Sequence, residues 1–195
     1  VTIRVTDNGL PNKFDNQTFM ITVDDVNIAP VAANDAATIN EDSGANAITV
    51  LANDNDHDSD TMNIISITQG IHGTVAITGS GTGLTYTPAA NYFGTDAFTY
   101  TITDGNGANG TATVTITIAN VNDNPTALDD VITISEDSGP RTILVLANDD
   151  FAPDVSETLT ITAVIQGAHG TVAITTGGTR VTYEPAANYY GADTF

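Results

Sequence analysis

Apolar and polar residues alternate with a period of two through much of the chain. Leu84-Thr85-Tyr86, Phe98-Thr99-Tyr100-Thr101-Ile102 and Val114-Thr115-Ile116-Thr117-Ile118 are the clearest runs. Successive side chains on a strand point to opposite faces, so this pattern predicts half-buried β-strands with Thr toward water. Between residues 28 and 122 the strands are expected near 36–40, 47–51, 62–69, 73–78, 83–87, 97–103 and 112–119. Ile48 with Val50, Val75 with Ile77, Leu84 with Tyr86, and the two longer runs would supply the inner faces. No window sustains a helical period, and Gly, Asn, Asp and Pro clusters punctuate the strands at short intervals. Seven strands in about 95 residues predict an all-β fold: tandem immunoglobulin-like Greek-key β-sandwiches.

The pattern repeats. Glu41-Asp42-Ser43-Gly44 returns as Glu136-Asp137-Ser138-Gly139, and Leu51-Ala52-Asn53-Asp54 as Leu146-Ala147-Asn148-Asp149, both 95 positions on. His72-Gly73-Thr74-Val75 returns as His169-Gly170-Thr171-Val172, and Pro88-Ala89-Ala90-Asn91-Tyr92 as Pro185-Ala186-Ala187-Asn188-Tyr189, both 97 positions on. Two extra residues therefore fall between Asp149 and His169, most simply in the acidic loop 150–157. A period of this size is a whole sandwich rather than a solenoid repeat. The chain divides into 1–27, the closing strands of one unit; 28–122, a complete unit; and 123–195, a unit that stops at the counterpart of Phe98. Phe19–Val23 matches Val114–Ile118, and Val1 in place of Met points to a fragment of something longer.

Charge narrows the function classes. Twenty Asp and four Glu stand against four Lys plus Arg, a net charge of −20. Such a chain cannot neutralise phosphates and is repelled by an anionic bilayer, and its apolar runs are only a handful of residues long, so neither nucleic acid binding nor membrane insertion is expected. With 41% hydrophobic residues, pervasive disorder is not expected either. The absence of Cys removes disulfides, thiolate zinc sites and a thiol nucleophile. Mutual repulsion of so many carboxylates opposes folding unless a cation is bound.

The acids gather at a few places. Asn53-Asp54-Asn55-Asp56-His57-Asp58-Ser59-Asp60 sets oxygen-bearing side chains at alternating positions, suited to a hard cation that takes six to eight oxygens. It is not an EF-hand, because the Gly at the sixth position and the closing Glu are missing. The junctions between units are the second place: Asp24-Asp25-Val26-Asn27-Ile28-Ala29-Pro30, then Asn120-Val121-Asn122-Asp123-Asn124-Pro125. Asp104, in Thr103-Asp104-Gly105, and its earlier counterpart Asp7 form the third; Glu41 and Glu136, near the first strand of each unit, form the fourth. The expected calcium ligands are Glu41, Asn120, Asn122, Asp123, Asn124 and Asp149 at the later junction. At the earlier one they are Asp25, Asn27, Asp54, Asp56 and Asp104, with Asp58 and Asp60 in the adjoining loop. Ile28 and Ala29 stand where Asp123 and Asn124 stand one unit later, so the earlier junction is expected to hold fewer or weaker ions.

These residues resemble a cadherin repeat, which closes with an Asp-x-Gly-x-Pro turn and a D-x-N-D-N-x-P calcium linker. Asp7-Asn8-Gly9-Leu10-Pro11 and Asn122-Asp123-Asn124 match those motifs, with Asn120 where the pattern has Asp. Asp54-Asn55-Asp56 resembles the D-x-D element of that family and Glu41 its N-terminal Glu; Asn91-Tyr92-Phe93-Gly94 sits where its D-R-E element would be. The interior is similar to cadherin-like tandem repeats of large bacterial surface adhesins of the RTX type. It shares with them the runs Gly73–Pro88, Asn91–Tyr100 and Asp104-Gly105-Asn106-Gly107. The resemblance implies an extracellular or cell-surface protein whose repeats contact neighbouring repeats of the same chain.

Catalysis is not expected. His57, His72 and His169 lie in separate loops, the Gly-rich Gly79–Gly83 joins two strands rather than a strand to a helix, and Asp129-Asp130 would point to opposite faces. The expected function is a calcium-braced extender that holds other parts of a surface protein away from the cell, any receptor or glycan being met by those other parts. Two rivals are homophilic adhesion and a carbohydrate-binding or spacer module of a secreted hydrolase; the lack of Trp and 6% aromatic content disfavour a sugar platform.

Overall fold

The computed structural model describes residues 2–195. All regular structure among them is β, and no helix is long and apolar enough to cross a membrane. The first two strands, β1 (Thr2–Thr6) and β2 (Phe14–Thr18), form an antiparallel hairpin whose side chains are exposed, with the Arg4 guanidinium 4.3 Å over the Phe14 ring. Phe19–Val23 is not a strand, although it matches Val114–Ile118 in sequence. The register from Thr2–Thr18 to Thr6–Phe14 leaves those residues without a partner strand among the described residues.

The strands between residues 28 and 122 form a two-sheet sandwich. One sheet carries β3 (Asp35–Asn40), β9 (Asn109–Ala119), β8 (Gly94–Thr103) and β5 (Asn63–Ile67) in that spatial order, with β3 parallel to β9. The other carries β4 (Asn46–Ile48), β7 (Gly83–Pro88) and β6 (Gly73–Thr78). Fourteen buried residues from both inner faces meet between them, including Ile48, Val50, Val75, Leu84, Tyr86, Phe98, Tyr100, Ile102, Val114, Ile116 and Ile118. Ile77 departs from the expected inner set and is 37% exposed. It lies on the edge strand, paired with Leu84 one step from the β6–β7 turn, where the facing sheet no longer covers it.

An acid interrupts the inward row of β8. Asp96 precedes Phe98 and Tyr100 on the buried face, and its carboxylate accepts from Tyr86 Oη (2.6 Å), His72 N (2.9 Å) and Ile71 N (3.0 Å). Burial pushes this carboxyl upward, but the hydrogen bonds together outweigh burial and hold it below its ordinary value. The closeness of this clamp explains Gly70 and Gly73: a Cβ would lie 2.2 Å from Asp96 Oδ2 and 2.3 Å from the Tyr86 ring, respectively.

Residues 123–195 repeat half of this plan. Strands β10 (Arg141–Ile143), β12 (Val181–Pro185) and β11 (Gly170–Ile174) reproduce the order of β4, β7 and β6 around Ile143, Val172, Val181 and Tyr183. Stretches matching β3 and β5 are not strands here, because those strands pair with β9 and with Tyr100–Thr103 of β8, which have no counterparts among the described residues past Ala119. Asp193 repeats the clamp with Tyr183 Oη (2.7 Å), His169 N and Ala168 N.

Candidate metal centres

Each linker is pinned to the same loop of the unit it enters: Val31 bridges Asn55, and Thr126 bridges Asp150, 95 positions on. That pinning brings the acid-rich loop against the linker and creates two carboxylate trios.

The first trio is Asp56, Asp60 and Asp104, with ligand atoms within 4.8 Å of one another. Asp56 Oδ1 accepts the N–H groups of Asp58 (2.9 Å) and Asp60 (3.3 Å), which curls the loop around it. Its Oδ2 is buried and has no hydrogen-bond partner. Asp104 closes the β8–β9 turn, Oδ1 accepting from Asn106 N (2.7 Å) and Ala108 N (3.1 Å), while Oδ2 accepts Asn27 Nδ2 (2.8 Å) from the linker. Asn27's amide, foremost, and the backbone donors hold the Asp104 carboxyl below its ordinary value despite burial. Asp60 Oδ2 accepts Asn106 Nδ2 at 2.7 Å.

The second trio is Glu41, Asp123 and Asp154, again with ligand atoms within 4.8 Å. Glu41 comes from the end of β3, Asp123 from the linker and Asp154 from the following unit, so three segments converge. Glu41 is 2% exposed; Oε1 accepts Val121 N (2.8 Å) and Oε2 has no partner. Asp154 accepts Asn120 Nδ2 (2.9 Å) and Asp123 N (2.6 Å), and Asp123 Oδ2 is left buried and unpartnered. Desolvation first, then the charges of Asp42 and Asp154, push the Asp123 carboxyl upward. No Lys or Arg pairs with either trio among the described residues, and residues 28–122 contain nine Asp and Glu and not one Lys or Arg.

The other expected ligands are placed as follows. Asp58 Oδ2 accepts Ile28 N (2.6 Å), the same contact that Asp154 makes with Asp123 N one unit later, and its Oδ1 lies 3.6 Å from His57 Nδ1. Asp54 stands apart from both trios; it binds Tyr100 Oη (2.9 Å) and Ala33 N (2.8 Å) at the base of β3. Asp149 does the same for Leu128 N (2.9 Å). Asp7 Oδ1 closes the β1–β2 turn by accepting Gly9 N and Lys13 N. Asp25 is exposed and binds only the adjacent Val26 N; Asn122 Nδ2 reaches Asp123 O; Asn124 and Glu136 are exposed.

Asp154 is not among the ligands expected from the sequence. Its loop is the one with two extra residues, so counting back by 95 or by 97 lands on Ser59 or His57, not on Asp58, whose contact it reproduces. The contact itself, a carboxylate receiving the N–H of the aligned linker residues Ile28 and Asp123, is the signal that identifies it.

The family model described as bacterial Ig domain matches residues 27–117 and 122–195. No curated protein matches the chain. Among solved structures, the human desmocollin-1 ectodomain is similar at 17% identity and TM-score 0.46, over 81% of this chain and 34% of that one. The protocadherin gamma B7 extracellular cadherin domains 1–4 are similar at 14% identity and TM-score 0.46, over 95% and 48%. An endo-fucoidan hydrolase of glycoside hydrolase family 107 is similar at 17% identity and TM-score 0.40, over 96% and 30%. The chain thus spans less than half the length of each of these structures.

Proposed function

Given that the chain belongs to the bacterial Ig domain family, we propose that it is a stretch of extracellular spacer repeats whose junctions are braced by calcium. One observation carries this reading. Glu41 Oε2, Asp56 Oδ2 and Asp123 Oδ2 are buried carboxylate oxygens without hydrogen-bond partners, and each belongs to a trio with no basic residue to balance it. An unpaired buried charge is strongly unfavourable, and a divalent cation relieves it directly. Calcium fits the donor set better than magnesium, because carboxylates with the amide oxygens of Asn27, Asn120 and Asn122 make a flexible all-oxygen site. When bound, the ion supplies charge neutralisation and a cross-link; the side chains set where linker and units meet. The reading is non-catalytic and mechanical: neighbouring repeats are the partners, and a receptor or glycan would be met elsewhere in the parent protein.

Paired spin labels test the brace. The chain has no cysteine, so Thr115→Cys with Glu184→Cys places labels only on either side of the later junction. A narrow distance distribution is expected in millimolar calcium, a broad one in EDTA, and a broad one under both conditions when Glu41→Gln is added. The same distribution with and without calcium would overturn the proposal.

The junctions should differ. Ile28 occupies the position of Asp123 and presents an apolar side chain where the later junction presents a carboxylate. Ile28→Asp is expected to tighten calcium binding by about tenfold, since one more carboxylate a few ångströms from a divalent ion is worth on the order of 1–2 kcal/mol in water-like dielectric. Calorimetric titration of the whole chain reads this; an unchanged isotherm counts against the assignment of that position.

A further inference from the structure

The sequence holds three Asn-Gly steps, and the fold treats them differently. Gly9 N is engaged by Asp7 Oδ1, and Gly110 lies in β9 packed so closely on Pro30 that a Cβ would meet its carbonyl oxygen at 2.5 Å. Asn106-Gly107 instead tops the exposed β8–β9 turn between two positive-φ positions, Gly105 (φ 81°) and Gly107 itself (φ 104°). Asn106 N and Ala108 N are both tied to Asp104 Oδ1, while Gly107 N between them donates no hydrogen bond among the described residues. A free glycine amide next to an asparagine side chain is the nucleophile of intramolecular deamidation, with no Cβ to hinder its approach.

We propose that Asn106 is a spontaneous modification site that tunes the Asp56–Asp60–Asp104 trio; the tuning rests on the cation reading above, the modification does not. Gly107 N attacks Asn106 Cγ, the Cγ–Nδ2 bond breaks, and ammonia leaves with the amide proton. Water then opens the cyclic imide at either carbonyl, yielding aspartate or isoaspartate. Before the reaction Asn106 Nδ2 donates to Asp60 Oδ2 at 2.7 Å. Afterwards that donor is gone and a fourth carboxylate stands beside the trio. Without a cation the new charge repels its neighbours; with one it is a further oxygen ligand, and ligand charge count raises calcium affinity.

Ageing the whole chain at mildly alkaline pH and mapping it by peptide mass spectrometry tests the first half. A chymotrypsin-type protease is needed, since no Lys or Arg lies between Lys13 and Arg141. The amide-to-acid mass change is expected at Asn106, ahead of Asn8 and Asn109, and absent in Asn106→Gln. An unmodified Asn106, or faster change at Asn8 or Asn109, overturns it. Calcium titration tests the second half: Asn106→Asp is expected to bind about tenfold tighter than the unmodified chain, and equal affinity overturns the tuning. If neither chain binds calcium, the tuning and the cation reading both fail, while the mapping result stands on its own.

Discussion

Calcium in hundredfold excess over its dissociation constant is expected to raise the melting midpoint of residues 28–122 by roughly 10–20 °C relative to EDTA. A ligand that binds only the native state stabilises it by RT ln(1 + [L]/Kd), about 2.7 kcal/mol per site at that excess. For a domain of under a hundred residues, 1 kcal/mol moves the midpoint by about 4–8 °C. The unfolded chain offers no competing site of similar affinity, because Asp104 is far from Asp56 and Asp60 in sequence and the three meet only when the unit folds. The pair Glu41→Gln and Asp56→Asn makes the expectation specific. Each variant keeps the oxygen that accepts a backbone N–H, Glu41 Oε1 and Asp56 Oδ1, and removes the charge behind the unpartnered one. In EDTA the double variant should melt at or above the unmodified chain, having lost repulsion; in calcium it should gain little. Calorimetric or circular-dichroism melts decide it, and midpoints that ignore calcium would sink the metal reading.

The strands were legible because one face of each is buried, and burial writes itself into alternation. All seven strands of residues 28–122 appear within a few residues of their expected bounds, and Ile77 fails only where an edge strand runs out from under the facing sheet. What each acid does was not legible. Asp54 and Asp56 are two residues apart in one loop and look interchangeable, yet Asp54 accepts from Tyr100 Oη, whereas Asp56 gathers with Asp60 and Asp104 and keeps one oxygen unpartnered. The difference comes from what lies opposite in space: the aromatic row of β8 for one, the β8–β9 turn for the other. Asp154 was hidden by a loop-length change that leaves the contact intact and shifts the count. Asp96 gave no signal either, since a single acid at the head of an alternating strand reads as the strand's solvent-side start rather than as a buried acceptor.

That buried acceptor should be the costliest single polar position in the unit. Asp96→Ala removes the carboxylate that accepts from Tyr86 Oη, His72 N and Ile71 N, and Tyr86 is fully buried, so its hydroxyl cannot turn to water. Hydrogen bonds to a charged partner contribute about 1.5–3 kcal/mol each, and stranding buried donors adds their desolvation cost. A loss of about 3–5 kcal/mol is expected, a large part of the 5–15 kcal/mol that holds a typical domain together. Tyr86→Phe deletes one donor and should cost about 1–2 kcal/mol; the double variant should cost clearly less than the two singles added, because the groups share one contact. Acid supplies an independent check. The folded-state carboxyl of Asp96 lies below its ordinary value of 3.8, so its contribution is complete above that value and is lost as pH falls through the lower, folded-state one. Asp96→Asn, which carries no charge to protonate, does not share that loss. The stability gap between the two chains should therefore be full at neutral pH and narrow as the pH drops below about 3.8. Urea denaturation across that range measures it, and a gap that stayed constant into strong acid would mean that Asp96 acts through its shape rather than its charge.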